Sequence, residues 1–143
     1  MIRIAEMIPT DKPALRELFL QIRQQTFHWM DTSKFNISDF DKETDDEHIF
    51  VIHFNNTVAG FISFWQRDNF IHHLYIASEF QQKGLGTMLL QTLLEKTTSP
   101  VTLKCLKKNK RALIFYEKNG FTKKGTGIAN NETYVLLEYG SIK

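Results

Sequence analysis

Phe70-Ile-His-His-Leu-Tyr-Ile76, then Gln81-Gln82-Lys83-Gly84-Leu85-Gly86, then Thr87-Met-Leu-Leu-Gln-Thr-Leu-Leu-Glu95 is the stretch that decides the fold. The first run is apolar and rich in β-formers, as a strand is. The last carries Leu89, Leu90, Leu93 and Leu94 at helical spacing. A strand, a glycine turn and a helix start together make an anion site. The first N–H groups of a helix lack intrahelical acceptors, and the macrodipole places about half a positive charge there. Glycine at 84 and 86 lets the backbone approach a ligand closely. No third glycine completes a dinucleotide fingerprint, and no Gly-Lys-Ser/Thr completes a P-loop. A tight helix entry without a ligand uses the same two glycines.

Working outward, Ile2 and Ile4 alternate with Arg3 and Ala5 as in a short first strand. Thr10 or Asp11 can cap a helix with Pro13 in its first turn. Leu15, Leu18, Phe19, Ile22 and Trp29 fall on one helical stripe. Residues 30–46 place Phe35, Ile37 and Phe40 among polar residues, as in a short helix or an ordered loop. His48–Phe54 and Thr57–Trp65 read as strands around an Asn55-Asn56 turn, and Gln66–Asn69 turns into the strand at 70–76. Their near-continuous apolarity predicts cover on both faces. Val101, Leu103 and Cys105 alternate in a further strand after the helix stops before Ser99-Pro100. The strand–helix–strand crossover makes that pair parallel. Asn109 caps the next helix, which ends at Asn119-Gly120, and strands near 121–128 and 132–139 close the chain. The pattern predicts a single α/β domain over residues 1–143, a mixed sheet of six or seven strands with helices on both faces.

The 143 residues, 42% of them hydrophobic and 24% charged, are those of a soluble globular domain. No apolar run approaches the roughly 20 residues that span a membrane. The N-terminus lacks a signal-peptide core, so a cytoplasmic location is the default expectation. The single cysteine excludes an internal disulfide and any multi-cysteine metal site. A net charge of +2, with no aromatic-interleaved basic patch, argues against a nucleic-acid partner. Asp39, Asp41, Glu43, Asp45, Asp46 and Glu47 form an acidic run that reads as a solvated face. Lys104, Lys107, Lys108, Lys110, Arg111, Lys118, Lys123 and Lys124 make the later part of the chain basic.

Gln81, Gly84 and Gly86 resemble the acetyl-CoA loop of the GNAT superfamily of N-acetyltransferases. Downstream, Asn109, Ala112, Tyr116, Gly120 and Phe121 resemble a second segment of that family in the same order. The resemblance implies the GNAT fold and acetyl-CoA as co-substrate, and the residues themselves lead to the expectation of no metal. It implies a small-molecule or peptide amine as acceptor, no membrane partner, and leaves room for a homodimer. It places coenzyme contacts at Leu74, Tyr75, Ile76, Gln81, Gln82, Lys83, Gly84, Leu85, Gly86, Thr87, Asn109 and Tyr116. The segment after the first helix usually shapes the acceptor site in this family, which points to Phe27, Trp29, Phe35 and Phe40 here.

Amine acetylation by a thioester needs a held pyrophosphate, a stabilised oxyanion and a path for protons. Tyr116 matches the family's tyrosine that protonates the leaving thiolate. The same tyrosine alone would read as a ring packed on the sheet. No carboxylate stands on the strand at 70–76, so His72 is the candidate base, since imidazole titrates near neutrality. A histidine hydrogen-bonded within the sheet fits His72 equally. Strand parity sends His72 and His73 to opposite faces, which leaves a metal reading without a ligand set. Cys105 reads as a buried small hydrophobe rather than a nucleophile. Besides the transferase, the missing carboxylate keeps a non-catalytic acyl-CoA sensor on the same fold in view.

Overall fold

Two asparagine pairs and one crossover set the topology of the sheet. The computed structural model describes residues 1–98 and 100–140. Strand β1 (Ile2–Glu6) leads through a 3-10 turn into helix α1 (Lys12–Thr26), and a short helix α2 (Asp39–Glu43) follows. Strands β2 (His48–Phe54) and β3 (Thr57–Trp65) meet at Asn55-Asn56, whose φ values of 50° and 68° make the left-handed turn that suits a twisted hairpin. Strand β4 (Phe70–Ile76) completes the meander, and helix α3 (Leu85–Glu95) crosses over to β5 (Val101–Leu106). Helix α4 (Lys110–Lys118) precedes β6 (Thr122–Ala129) and β7 (Glu132–Tyr139), which turn on Asn130-Asn131 at φ 50° and 64°. Ser99, half of the expected Ser99-Pro100 stop, lies outside the described residues, as do 141–143.

The seven strands run in the order β1-β2-β3-β4-β5-β7-β6. The β4–β5 pair is parallel, as the crossover requires, and the other pairs are antiparallel. Alternation along β2 divides the core in two. Ile49 and Val51 face α1 and pack with Leu15, Leu18, Phe19, Ile22, Phe40 and Phe61. Phe50 and Ile52 face α3 and pack with Leu85, Leu89, Leu90 and Leu93, together with Ile62, Leu103 and Leu137. Each fully buried leucine contributes about 1.5–3 kcal/mol of apolar burial. The core on both faces is what the continuous apolar strands predict.

Two departures in β4 matter for function. Its ladder with β5 covers only Phe70↔Thr102 and Ile71↔Leu103, after which the strands diverge. Its ladder with β3 skips a residue: Ser63 pairs with His73 and Phe64 with Ile71, which leaves His72 as the extra residue of a bulge. A third departure concerns α1, which stops at Thr26. Trp29 therefore lies beyond the helix and not on its apolar stripe.

Candidate active site

The divergence of β4 from β5 opens the sheet, and α3 and α4 wall the opening. Beyond Ile71 one edge of β4 has no strand beside it, so main-chain groups between His72 and Ile76 face the gap. The chain leaves β4 through a turn in which Gln82 (φ 63°) and Gly84 (φ 79°) are left-handed. Gly84 is the N-cap of α3 and has no side chain to satisfy the helix start. The first bond of the helix runs from the Met88 N–H to the Gly84 carbonyl, so the N–H groups of Leu85, Gly86 and Thr87 are the helix's open donors. The Gln81 amide donates to the Ile76 carbonyl at 2.9 Å and ties the turn to the end of β4. On the far side Asn109 caps α4, its Oδ1 accepting from the Ala112 N–H at 3.3 Å.

The resulting cleft has a volume of about 980 Å³. Leu74, Tyr75, Ile76, Gln81, Gln82, Gly84, Leu85, Gly86, Thr87, Asn109 and Tyr116 all line it. Lys83 does not, and its ammonium lies 5.9 Å from the Phe54 ring instead. Lys108, Lys110, Arg111 and Lys118 line the cleft, and no aspartate or glutamate does. A lining with cations and no acids, at the open end of a helix, is built for a polyanion.

Tyr116 sits at the bottom with its ring edge-on to Phe115 and Phe121, at 5.2 and 5.5 Å. Burial pushes its phenol well above the ordinary range, with Cys105 and Tyr75 adding to the effect. It is therefore a neutral O–H, a donor rather than a phenolate. The Cys105 thiol is pushed up to about 12 by burial, and it does not line the cleft.

Of the four aromatic residues expected at the acceptor side, Trp29 lines the cleft. Its indole N–H donates to Glu132 at 2.8 Å, which pins the segment after α1 to the start of β7. Phe27 packs edge-on against Trp29 at 5.6 Å. Phe35 lies under the Arg23 guanidinium at 4.0 Å, away from the lining. Phe40 is corrected to core: it is 0% exposed and stacks on Phe19 and Phe61, so it cannot meet an acceptor. His28 is the residue that sequence reading missed. It is exposed and is the one imidazole in the lining. Nothing in the spacing of Phe27-His28-Trp29 marks it, because its place depends on where α1 ends.

Residues 13–121 match the sequence profile of the Acetyltransferase (GNAT) family. The chain belongs to the GNAT acetyltransferase family. Solved structures share its fold at low identity. Apo YjaB from Escherichia coli superposes with a TM-score of 0.79 at 16% identity, covering 97% of each chain. The PaiA N-acetyltransferase of Thermoplasma acidophilum, crystallised with coenzyme A, gives 0.78 at 18% identity over 99% of each chain. The ribosomal-protein-S18-alanine N-acetyltransferase of Escherichia coli gives 0.73 at 19% identity, over 97% of this chain and 93% of that one. No helix among the described residues is long and apolar enough to cross a membrane.

Against this GNAT frame the histidine pair needs a correction. The bulge at His72 cancels strand parity, and both rings lie on the α1/α2 face with centroids 3.8 Å apart. His72 Nδ1 is 2.8 Å from Glu47 Oε2. His73 Nδ1 is 2.9 Å from Ser63 Oγ, and its Nε2 is 3.4 Å from Glu43 Oε1. Burial lowers the tendency of His72 to hold a proton, but Glu47 and Glu43 outweigh it and the pKa is raised. For His73 burial wins and the pKa is lowered. Neither histidine lines the cleft. His72, expected as the base, is thus turned toward α2, paired with Glu47 and outside the cleft lining.

Proposed function

We propose that this GNAT protein is an acetyl-CoA-dependent N-acetyltransferase that joins the acetyl group to a primary amine of a small molecule or peptide. The cleft lining carries the reading: open helix-start donors and four cationic side chains with no acid support binding of the coenzyme's phosphates. The open edge of β4 supports a pantetheine arm lying alongside it as an added strand. Main-chain N–H groups at Leu74–Ile76 are then the donors for the developing oxyanion. A preorganised donor of that kind typically supplies about 2.7–4 kcal/mol.

The amine attacks the thioester carbon directly, the tetrahedral centre collapses, and the thiolate departs. Tyr116, whose neutral O–H lines the cleft, gives that thiolate its proton. Cys105 is too weakly acidic and too enclosed to carry the acetyl group, which supports attack within a ternary complex. Presenting a neutral alkylamine at pH 7 costs about 4.6 kcal/mol from a pKa near 10.4. His28, the imidazole in the lining, is the proposed acceptor for the amine proton in place of His72.

The test is thiol release from acetyl-CoA across polyamines, amino acids, amine antibiotics and peptide N-termini. Turnover with one class is expected, and it should fall in His28→Ala. Coenzyme A binding without turnover on any amine would make the protein a sensor and sink the catalytic reading.

A further inference from the structure

The bulge at His72 assembles a ligand set that an unbroken strand could not. Glu43 of α2, His72 and His73 each offer a donor atom, and the three lie within 4.8 Å of one another. Glu47 occupies His72 Nδ1, and Ser63 occupies His73 Nδ1. Both histidines therefore keep Nε2 for a further partner. Metal-bound histidines are held in this way, with the second ring nitrogen on a carboxylate or another oxygen that fixes tautomer and orientation.

The spacing fits a metal better than it fits hydrogen bonds. Glu43 Oε1 and His73 Nε2 are 3.4 Å apart, long for a good hydrogen bond. Two ligands about 2.0–2.1 Å from a tetrahedral ion lie about 3.3 Å from each other. Arg23 Nη1 holds the other Glu43 oxygen at 3.4 Å, which leaves Oε1 turned to the histidines. The site is open on one side, since the side chains of His72 and Glu43 are each 36% exposed.

Glu47 supplies an independent observation. Its side chain is 6% exposed, and its Oε1 is buried without a hydrogen-bond partner. A buried carboxylate with an unpaired oxygen is costly unless positive charge lies close. An ion on His72 would place that charge one imidazole away.

We propose that Glu43, His72 and His73 bind one divalent transition ion of the zinc class, with water completing the coordination and Glu47 and Ser63 orienting the two rings. Imidazole with one carboxylate suits zinc, cobalt or nickel rather than magnesium or calcium. The ion joins α2 to β4 and leaves the cleft free.

The experiment uses the whole chain, stripped with chelator and titrated with Zn²⁺ by calorimetry and with Co²⁺ by visible absorption. One ion per chain is expected, with cobalt bands of a nitrogen–oxygen site and a rise in Tm. Glu43→Gln removes a ligand, and Glu47→Gln removes an orienting group, so each should weaken binding at least tenfold. Retained coenzyme A affinity in both variants checks that they are folded. Absence of stoichiometric binding at micromolar zinc overturns the proposal. So does binding that both substitutions leave unchanged, since the ion would then sit elsewhere.

Discussion

Gly84→Val separates what the turn does for the fold from what it does for the ligand. Gly84 holds φ at 79°, and a Cβ built there meets nothing within 4 Å. No neighbour has to move, so the cost of valine is conformational. A left-handed non-glycine residue costs about 1–2 kcal/mol, and β-branching puts valine at the upper end. Against a total stability of about 5–15 kcal/mol, the protein stays folded. Its Tm should drop by about 3–8 °C. The same empty space is where a phosphate would approach the N–H groups of Leu85–Thr87. Losing one hydrogen bond to a charged group costs about 1.5–3 kcal/mol, which is about 10- to 150-fold in Kd. Calorimetric titration with coenzyme A, paired with thermal unfolding, reads both quantities. Gly125→Ala is the control, since Gly125 also faces open space but has no positive φ. It should change neither. A folded Gly84→Val protein that binds coenzyme A with unchanged affinity would refute the phosphate assignment.

Tyr116→Phe keeps the ring contacts to Phe115 and Phe121, so steady-state kinetics should show kcat lower by about 10²–10⁴-fold with coenzyme A affinity retained. Cys105, with its thiol pushed up to about 12, should resist a thiol reagent in the native protein at pH 8, where about one molecule in 10⁴ is thiolate. Fast labelling that matches the denatured chain would show that the strand is open there. Phe40→Ala empties a site enclosed by Phe19 and Phe61 and should cost about 3–5 kcal/mol by denaturant unfolding. An acceptor KM effect at unchanged stability would return Phe40 to the pocket.

Most of the fold was legible because the signals are local. Asn55-Asn56 and Asn130-Asn131 mark hairpins by their own backbone preferences. The leucines at 89, 90 and 93 fix the buried face of α3, and Gly84 fixes its start. That the turn, the cap and the tyrosine would share one cleft was legible for the same reason, since they follow each other along the chain. The placement of Phe27, Trp29, Phe35 and Phe40 was not, because it depends on where elements stop and what they meet. The acidic run shows this well. It read as a solvated face, yet Asp39 and Glu43 pair with Arg23, and Glu47 holds His72. Those partners lie 16 to 25 residues away, beyond any window of periodicity.

Strand β4 carries the decisive case. Parity is a statement about an unbroken ladder, and it fails wherever a bulge adds a residue to the strand. Here the extra residue is His72 of β4, left over between the pairs Ser63–His73 and Phe64–Ile71, and the alternation of Phe70–Ile76 does not announce it. One skipped residue has two consequences. It sets His72 toward α2, paired with Glu47 and outside the cleft lining. It also sets the His72 and His73 rings together against Glu43, with centroids at 3.8 Å. The two rings sit in unlike surroundings: burial, with a smaller push from His72, lowers the pKa of His73, while Glu47 and Glu43 overcome burial and raise that of His72. The feature that takes His72 out of the cleft lining is therefore the one that builds the proposed metal-binding set.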